Sequence, residues 1–124
     1  MLQPGDIVTA ITVQATPAGR RSTYLKVRDR QSYAYALVSA AVALEMDGDT
    51  VTTARVSLGG VASKPWRSPE AEAALTGRRL NEAAALEAGE AAFAAARPLR
   101  HNAFKVELGR RVVARAALLA SKRS

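Results

Sequence analysis

The side chains that could do chemistry are few in this sequence. It contains no cysteine, and its single histidine, His101, stands between Arg100 and Asn102. The missing cysteines exclude disulfides, thiolate catalysis, iron–sulfur ligation and most structural zinc sites. A histidine beside a helix-capping residue is more often an ordinary surface residue than a general base. The chain therefore lacks the reactive groups of a self-sufficient enzyme, and a reducing cytoplasm is its expected location.

Carboxylates and glycine-rich turns add no stronger catalytic signal. Glu70 with Glu72, and Glu87 with Glu90, form pairs on alanine-rich helical segments. Such pairs are typical of surface helices, where they keep the protein in solution. The sequence has no GxGxxG motif and no P-loop, so it holds neither of the common glycine loops that cradle phosphates.

Two clusters of charged, aromatic and glycine residues remain as candidate binding sites. The first, residues 24–33, places Lys26 and neighbouring arginines among aromatic rings. These cations could neutralise an anionic ligand, or they could pair with each other in a solvated loop. The second, residues 59–67, has two glycines that permit close backbone contact and the only tryptophan, Trp66, which could cap the core or line an interface. The residues alone slightly favour a structural role for both.

The net charge of +7 is concentrated in the last part of the chain. Residues 1–96 are electrically balanced, whereas residues 97–124 hold eight basic side chains against one acidic side chain, Glu107. A nucleic-acid-binding segment, a helix that meets an acidic partner subunit, and a cationic helix end would all show this pattern. The only aromatic residue in the segment is Phe104, which we expect in the core, and this disfavours stacking on bases. We therefore expect no nucleic-acid partner, and keep a basic nucleic-acid-binding module as an alternative function.

The secondary-structure elements that must position these clusters are predicted in a simple order along the chain, with strands first and helices last. Alternating β-branched residues predict a strand over residues 6–14. Residues 36–46 and 50–58 flank an Asp-Gly turn and predict a β-hairpin, with Ala54, Val56 and Leu58 on one face of the second strand. The first strand of that hairpin is apolar on both faces, so we expect both to be covered, although its alanine content leaves a helix as an alternative.

Capping and composition signals predict three helices after the strands. The first runs from a serine cap with a following proline at residues 68–69 to near Gly77. The second covers residues 81–96, with Gly89 weakening its middle. The third runs from a cap at Asn102 to about residue 120 and places Phe104 in its core-facing row. The order of elements predicts an α+β domain with one modest core, and no apolar run is long enough to span a membrane.

Three spaced motifs cover nearly the whole chain. Residues 24–39 read YLKVRDRQSYAYALVS, residues 54–67 read ARVSLGGVASKPWR, and residues 102–111 read NAFKVELGRR. These stretches are similar to the KxRxRxSYAxALVS, ARxxLGGVAxKPWR and NAxKxEL elements of the FAD-binding subunits of molybdenum hydroxylases. That family includes xanthine, aldehyde and carbon monoxide dehydrogenases. Residues 2–9, LQPGDIVT, resemble the strand that closes the preceding FAD domain.

The resemblance implies the C-terminal domain of the medium, flavin-carrying subunit. Its fold would be α+β, an antiparallel sheet of about three to four strands packed against C-terminal helices, as in the carbon monoxide dehydrogenase flavoprotein C-terminal domain. Residues 1–14 would close the upstream FAD domain, and residues 15–124 would form the C-terminal domain. Electrons would pass from a molybdenum centre through iron–sulfur clusters to FAD and an acceptor. The implied partners are a molybdenum-cofactor large subunit and an iron–sulfur small subunit.

The resemblance also implies three residues near the flavin. Lys26, in the YxK element, is expected to approach the flavin ring, where a cation would stabilise negative charge that develops during reduction. Arg30 matches an arginine that shapes the same neighbourhood, and Tyr24 would be a nearby wall residue. The family's glycine-rich pyrophosphate segments have no counterpart here, so we expect a shortened or separately encoded domain that does not bind FAD tightly alone. The other alternative is a non-catalytic protein-interaction domain.

Overall fold

The computed structural model describes residues 2–123 and arranges four strands before three α-helices. A 3-10 turn at Pro17–Gly19 precedes the strands, which are β1 (Ser22–Val27), β2 (Val38–Asp47), β3 (Thr50–Gly59) and β4 (Trp66–Arg67). The helices are α1 (Pro69–Leu75), α2 (Glu82–Phe93) and α3 (Phe104–Ser121). This order confirms the predicted α+β fold. Over the described residues, every helix is too short or too polar to cross a bilayer.

The four strands form one antiparallel sheet in the order β1-β2-β3-β4. Asp47 pairs with Thr50, so the two residues between them make the turn of the β2–β3 hairpin. Gly48 has a φ of +56°, a conformation that glycine adopts at little cost. The hairpin predicted from the Asp-Gly signal is therefore confirmed, with a register shift between Glu45 and Met46.

The strand predicted over residues 6–14 is not formed among the described residues. The segment has no regular secondary structure, and Ile7, Ile11 and Val13 are each more than 80% exposed. A β-strand needs a neighbouring strand to pair its backbone groups, and none of β1–β4 pairs with this segment. Within the described part of the chain, the alternating segment therefore has no sheet to pair with.

The helices cover one face of the sheet. The residues that point toward them are almost fully buried, namely Val38, Ala40, Val42 and Leu44 on β2 and Ala54, Val56 and Leu58 on β3. This confirms the predicted facing of the second hairpin strand. The expectation that both faces of the first strand are covered holds for one face only, because Ala41 is exposed and Ala43 is half-buried on the other. Alanine leaves little apolar area in water, so this face can stay open at low cost.

Two glycines let α2 and α3 approach each other closely. A Cβ atom placed on Gly89 would overlap the main-chain carbonyl of Arg110, and one placed on Gly109 would overlap the ring of Phe93. Gly89 therefore has a packing role that outweighs the weakening of the helix predicted from its propensity. The rest of the buried stripe on α3 consists of small and β-branched residues, namely Val112, Val113, Ala114, Ala116, Ala117 and Ala120.

Phe104 lies outside the core, contrary to the sequence expectation. Its side chain is 53% exposed. Phe104 is five residues before Gly109, which corresponds to about 140° around the helix axis at 3.6 residues per turn, so it points away from the buried stripe. Asn102 does not cap α3 either, because its side chain accepts a hydrogen bond from the Leu99 N–H at 2.6 Å and the helix begins from Ala103.

Glu72 joins α1 to the outer edge of β3. Its Oε1 accepts hydrogen bonds from the Val56 N–H at 3.0 Å and from Arg67 Nε at 2.9 Å, and its Oε2 accepts from Arg67 Nη2 at 2.8 Å. The Ser68 N–H donates to the Val56 carbonyl at 2.9 Å. Glu72 and Ser68 thus continue the edge pairing where the two-residue strand β4 stops. The interpretation of Glu72 as a solvated surface carboxylate is wrong, since it is only 8% exposed.

We predict that Gly89→Ala lowers the free energy of unfolding by about 2 kcal/mol. The added methyl group would press on the backbone of α3, which cannot rotate away, and overpacking of this kind costs about 1–3 kcal/mol. Urea denaturation of the chain measures the change. Gly19→Ala is the matched control, because a Cβ at Gly19 meets no atom within 4 Å. Equal stability of the two variants would contradict the close-packing role.

We also predict that the ionised form of Glu72 stabilises the fold and that acid removes this contribution. The hydrogen-bonded Arg67 guanidinium lowers the pKa of the Glu72 carboxyl below its ordinary value of 4.5, and the Val56 N–H adds to this against the opposing effect of burial. Because the folded pKa is the lower one, the stabilisation is present above pH 4.5 and is lost as the pH falls through the folded pKa.

Glu72→Gln should therefore lose about 2 kcal/mol at pH 7, the contribution of hydrogen bonds to a charged group. It should also show a weaker loss of stability between about pH 5 and pH 3 than the parent chain, since it lacks the titrating group. Urea denaturation across this pH range measures both effects. Glu90→Gln, at an exposed position of α2, is the control and should follow the parent chain. A Glu72→Gln curve parallel to that of the parent would refute the assignment.

Candidate functional site on the open sheet face

The uncovered side of the sheet, here called the open face, carries two neighbouring rows of outward-pointing residues. Successive side chains of a strand point to opposite faces, so the residues between the buried positions lie here. One row crosses all four strands in register, from Tyr24 through Ala41 and Ser57 to Arg67. The next row runs from Ser22 through Ala43 to Arg55. Small side chains occupy the middle of both rows.

A shallow cavity of about 620 Å³ lies on these rows. The alanine and serine side chains in the middle of the two rows, here called its floor, line it together with Glu72 and the larger side chains of Tyr24, Arg55, Arg67 and Arg123. Because the floor has no bulky side chain, it presents a flat surface several strands wide. Such a surface can cover a planar group without a change in the backbone.

Tyr24 and Lys26, two of the predicted site residues, lie together on the open face. Tyr24 is 63% exposed and lines the cavity. Lys26 follows two residues later on the same side of β1, is exposed, and stands opposite Ser39, which in turn pairs with Gly59. The period of two along β1 therefore places an aromatic ring and an ammonium group side by side.

Arg30, the third predicted residue, lies off the sheet in the loop that connects β1 to β2. Its Nη2 donates to the carbonyl oxygen of Tyr33 at 3.3 Å, within the same loop. Tyr33 has a positive φ of 49° and is almost fully exposed. The Leu37 N–H closes the base of the loop by donating to the Val27 carbonyl at 2.8 Å. Arg30 thus helps to hold the shape of the loop that follows β1. Lys26 lies on β1 itself, close to the start of this loop.

Arg55 and Arg67 belong to the same cavity but are not among the residues that the sequence predicts. Arg55 Nη1 lies 3.8 Å from Glu72 Oε2, and the two hydrogen bonds from Arg67 hold its guanidinium to the same carboxylate. Glu72 therefore orients both arginines at the α1 end of the cavity. The alternation of β3 indicates that Arg55 points outward, but no sequence pattern connects either arginine to Glu72.

The arrangement offers a flat surface of small side chains with cations beside it. Among residues 2–123, no group of three or more histidine, cysteine, aspartate or glutamate side chains could hold a metal ion. Cations beside a flat surface favour negative charge on a group that lies there.

Comparison with known proteins agrees with this geometry. Residues 23–120 match the model of the CO dehydrogenase flavoprotein C-terminal domain. The chain is 42% identical over 113 residues to the aldehyde oxidoreductase FAD-binding subunit of Escherichia coli (strain K12), an alignment that covers 91% of this chain and 32% of that protein. It is 36% identical over 83 residues to the carbon monoxide dehydrogenase medium chain of Afipia carboxidovorans, covering 67% of this chain and 28% of the relative.

Solved structures share the fold. Carbon monoxide dehydrogenase from Hydrogenophaga pseudoflava, in a form that lacks the Mo-pyranopterin moiety of its molybdenum cofactor, superposes with a TM-score of 0.80 and 30% identity over 90% of this chain and 40% of that one. Quinoline 2-oxidoreductase from Pseudomonas putida 86 gives a TM-score of 0.75 and 27% identity over 82% of this chain and 37% of the other. This chain spans about a third of the length of the curated relatives it matches. The resemblance to the FAD-binding subunits of molybdenum hydroxylases is confirmed, and the chain belongs to the CO dehydrogenase flavoprotein C-terminal domain family.

Proposed function

We propose that this chain is the flavin-covering domain of an FAD-binding subunit in an oxidoreductase of the molybdenum hydroxylase type. The observation that carries the proposal is the open face, where Tyr24 lines a floor of small side chains and Lys26 follows it on the same side of β1. A planar ring system laid on this floor would be shielded from water on one side. The names of the similar proteins support FAD as that group, since one is an FAD-binding subunit and another a medium chain of carbon monoxide dehydrogenase.

The proposed role is a relay of electrons within a complex of several subunits. FAD, when bound, would accept electrons that originate at a molybdenum centre and pass through iron–sulfur clusters, and would deliver them to an acceptor. The proposed partners are accordingly a molybdenum-cofactor large subunit and an iron–sulfur small subunit. This chain would cover the ring, exclude water from it and set the charge beside it.

Lys26 is the residue that we propose to set that charge. It is exposed on β1, has no ion pair among the described residues, and shares its side of the strand with Tyr24. An ammonium group held beside the ring by a rigid strand favours the form of the ring that carries more negative charge. Arg30 would act less directly, by holding the loop that follows β1 through its hydrogen bond to Tyr33.

We predict that Lys26→Met, made in the full-length FAD subunit, makes the flavin reduction potential more negative by about 30 mV. The loss of a cation destabilises the reduced flavin, and 30 mV corresponds to about 1.4 kcal/mol for a two-electron couple. The FAD content should not change, because the phosphates are held outside this domain. Spectroelectrochemical titration gives the potential, and Arg115→Met, at an exposed position of α3 that lines neither described cavity, is the control. A Lys26→Met subunit with full FAD content and an unshifted reduction potential would contradict the proposed role of Lys26.

We further propose that residues 1–14 close the upstream FAD domain and that residues 15–124 form the covering domain. The support is the exposure of Ile7, Ile11 and Val13 on an alternating segment that pairs with none of the strands β1–β4 of the described residues. Exposed apolar side chains at every second position are typical of a strand that packs on another sheet. Pairing with the FAD domain would bury them and satisfy the backbone of the segment.

Hydrogen exchange can test this division of the chain. In the full-length subunit, the amides of residues 7–13 should exchange at least tenfold more slowly than in the present chain, because strand pairing protects them. The amides of β2 are the control and should be protected in both proteins, since β2 is paired on both sides within this chain. Equally fast exchange of residues 7–13 in the two proteins would show that the segment is a linker.

A further inference from the structure

A second cavity, here called the end pocket, lies away from the open face. It has a volume of about 340 Å³ and is formed between the loop at residues 60–62 with Trp66 and the end of α2 with the segment that follows it. Lys105 and Val106, in the first turn of α3, complete the wall. Among residues 2–123, the linings of the two cavities have no member in common. The end pocket is therefore a separate feature of the domain.

Large apolar side chains are exposed at the end pocket. Trp66 lines it and is 49% exposed. Leu99 and Phe104, which are next in sequence to the lining residues Pro98 and Lys105, are 75% and 53% exposed. Exposed aromatic and aliphatic groups around an apolar concavity are typical of surfaces that bind another protein.

Cations without carboxylate partners surround the end pocket. Arg97 and Lys105 line it, and Lys64 and Arg100 are close to it in sequence, whereas Glu70 is the one acidic side chain in the lining. None of these four cations is in an ion pair among the described residues, although six other arginines are, namely Arg55, Arg67, Arg78, Arg79, Arg110 and Arg111. The Lys105 ammonium donates to the Gly60 carbonyl at 3.0 Å and so is fixed at the pocket wall.

We infer that the end pocket docks an acidic segment of a partner subunit, with one apolar side chain in the pocket and carboxylates against Arg97 and Lys105. An apolar anchor ringed by complementary charge is a common arrangement at the centre of protein interfaces. The apolar part of the lining beside Arg97 and Lys105, which includes Trp66 and Val106, favours a protein segment over a small anionic molecule. The inference rests on the proposed function in that the partner is another subunit of the same complex.

Binding of the full-length FAD subunit to the purified molybdenum and iron–sulfur subunits, followed by biolayer interferometry, tests the inference. The double variant Arg97→Glu/Lys105→Glu should raise the Kd for one of these subunits at least tenfold. Ala95→Trp, which fills the pocket from an exposed position, should weaken the same interaction by a similar factor. The controls are Arg115→Glu/Lys122→Glu, which makes the same charge change on α3 and at the residue that follows it, and Ala83→Trp on the exposed side of α2. Both controls should bind within twofold of the parent subunit.

Equal weakening by the two charge-reversal variants would overturn the inference, because it would show dependence on net charge or on α3 as a whole. Unchanged binding by the pocket variants, or no binding by the parent subunit, would overturn it as well. The FAD absorbance of each preparation separates this outcome from failure of the proposed function. Loss of docking with full FAD content supports the end pocket as an interface. A subunit that docks without FAD would contradict the flavin-covering role and would leave the docking inference in place.

Discussion

The open face and the end pocket both depend on the hydrogen bonds of the buried Glu72 carboxylate. The edge of β3 continues past the two-residue strand β4, and its Val56 N–H would be unpaired there without an acceptor. Glu72 supplies that acceptor from α1, and its own burial is offset by the two hydrogen bonds from Arg67. The same contact fixes α1 against the sheet and directs Arg55 and Arg67 onto the open face.

Small side chains shape the two sides of the sheet in different ways. On the helix side, Gly89 and Gly109 remove the Cβ atoms that would keep α2 and α3 apart, so the core is filled by close approach of backbones. On the other side, Ala41 and Ala43 leave a flat floor that costs little in water. A core built from alanine and valine, with few aromatic rings, therefore leaves the flat open face free for a planar partner.

Local signals account for most of what the sequence predicts correctly. The β2–β3 hairpin follows from periodicity and a turn, and the start of α1 follows from its Ser68 cap, all of which act over a few residues. The side-by-side placement of Tyr24 and Lys26 follows from the period of two in a strand. The burial of Glu72 and the exposure of Phe104 depend instead on how a helix lies against the sheet. Strand register, which brings Arg67 into line with Tyr24 across β2 and β3, is likewise a long-range property.

The two residues of strand β4 line different cavities, so this short strand connects the open face to the end pocket. Trp66 lines the end pocket and Arg67 lines the open-face cavity, since neighbouring residues of a strand point to opposite sides. Leu58 and Ser57, their partners on β3, divide in the same way. A displacement of Trp66 by a docked segment would therefore act on the backbone that holds Arg67 to Glu72. The surface proposed for a partner and the surface proposed for the flavin are thus one peptide bond apart.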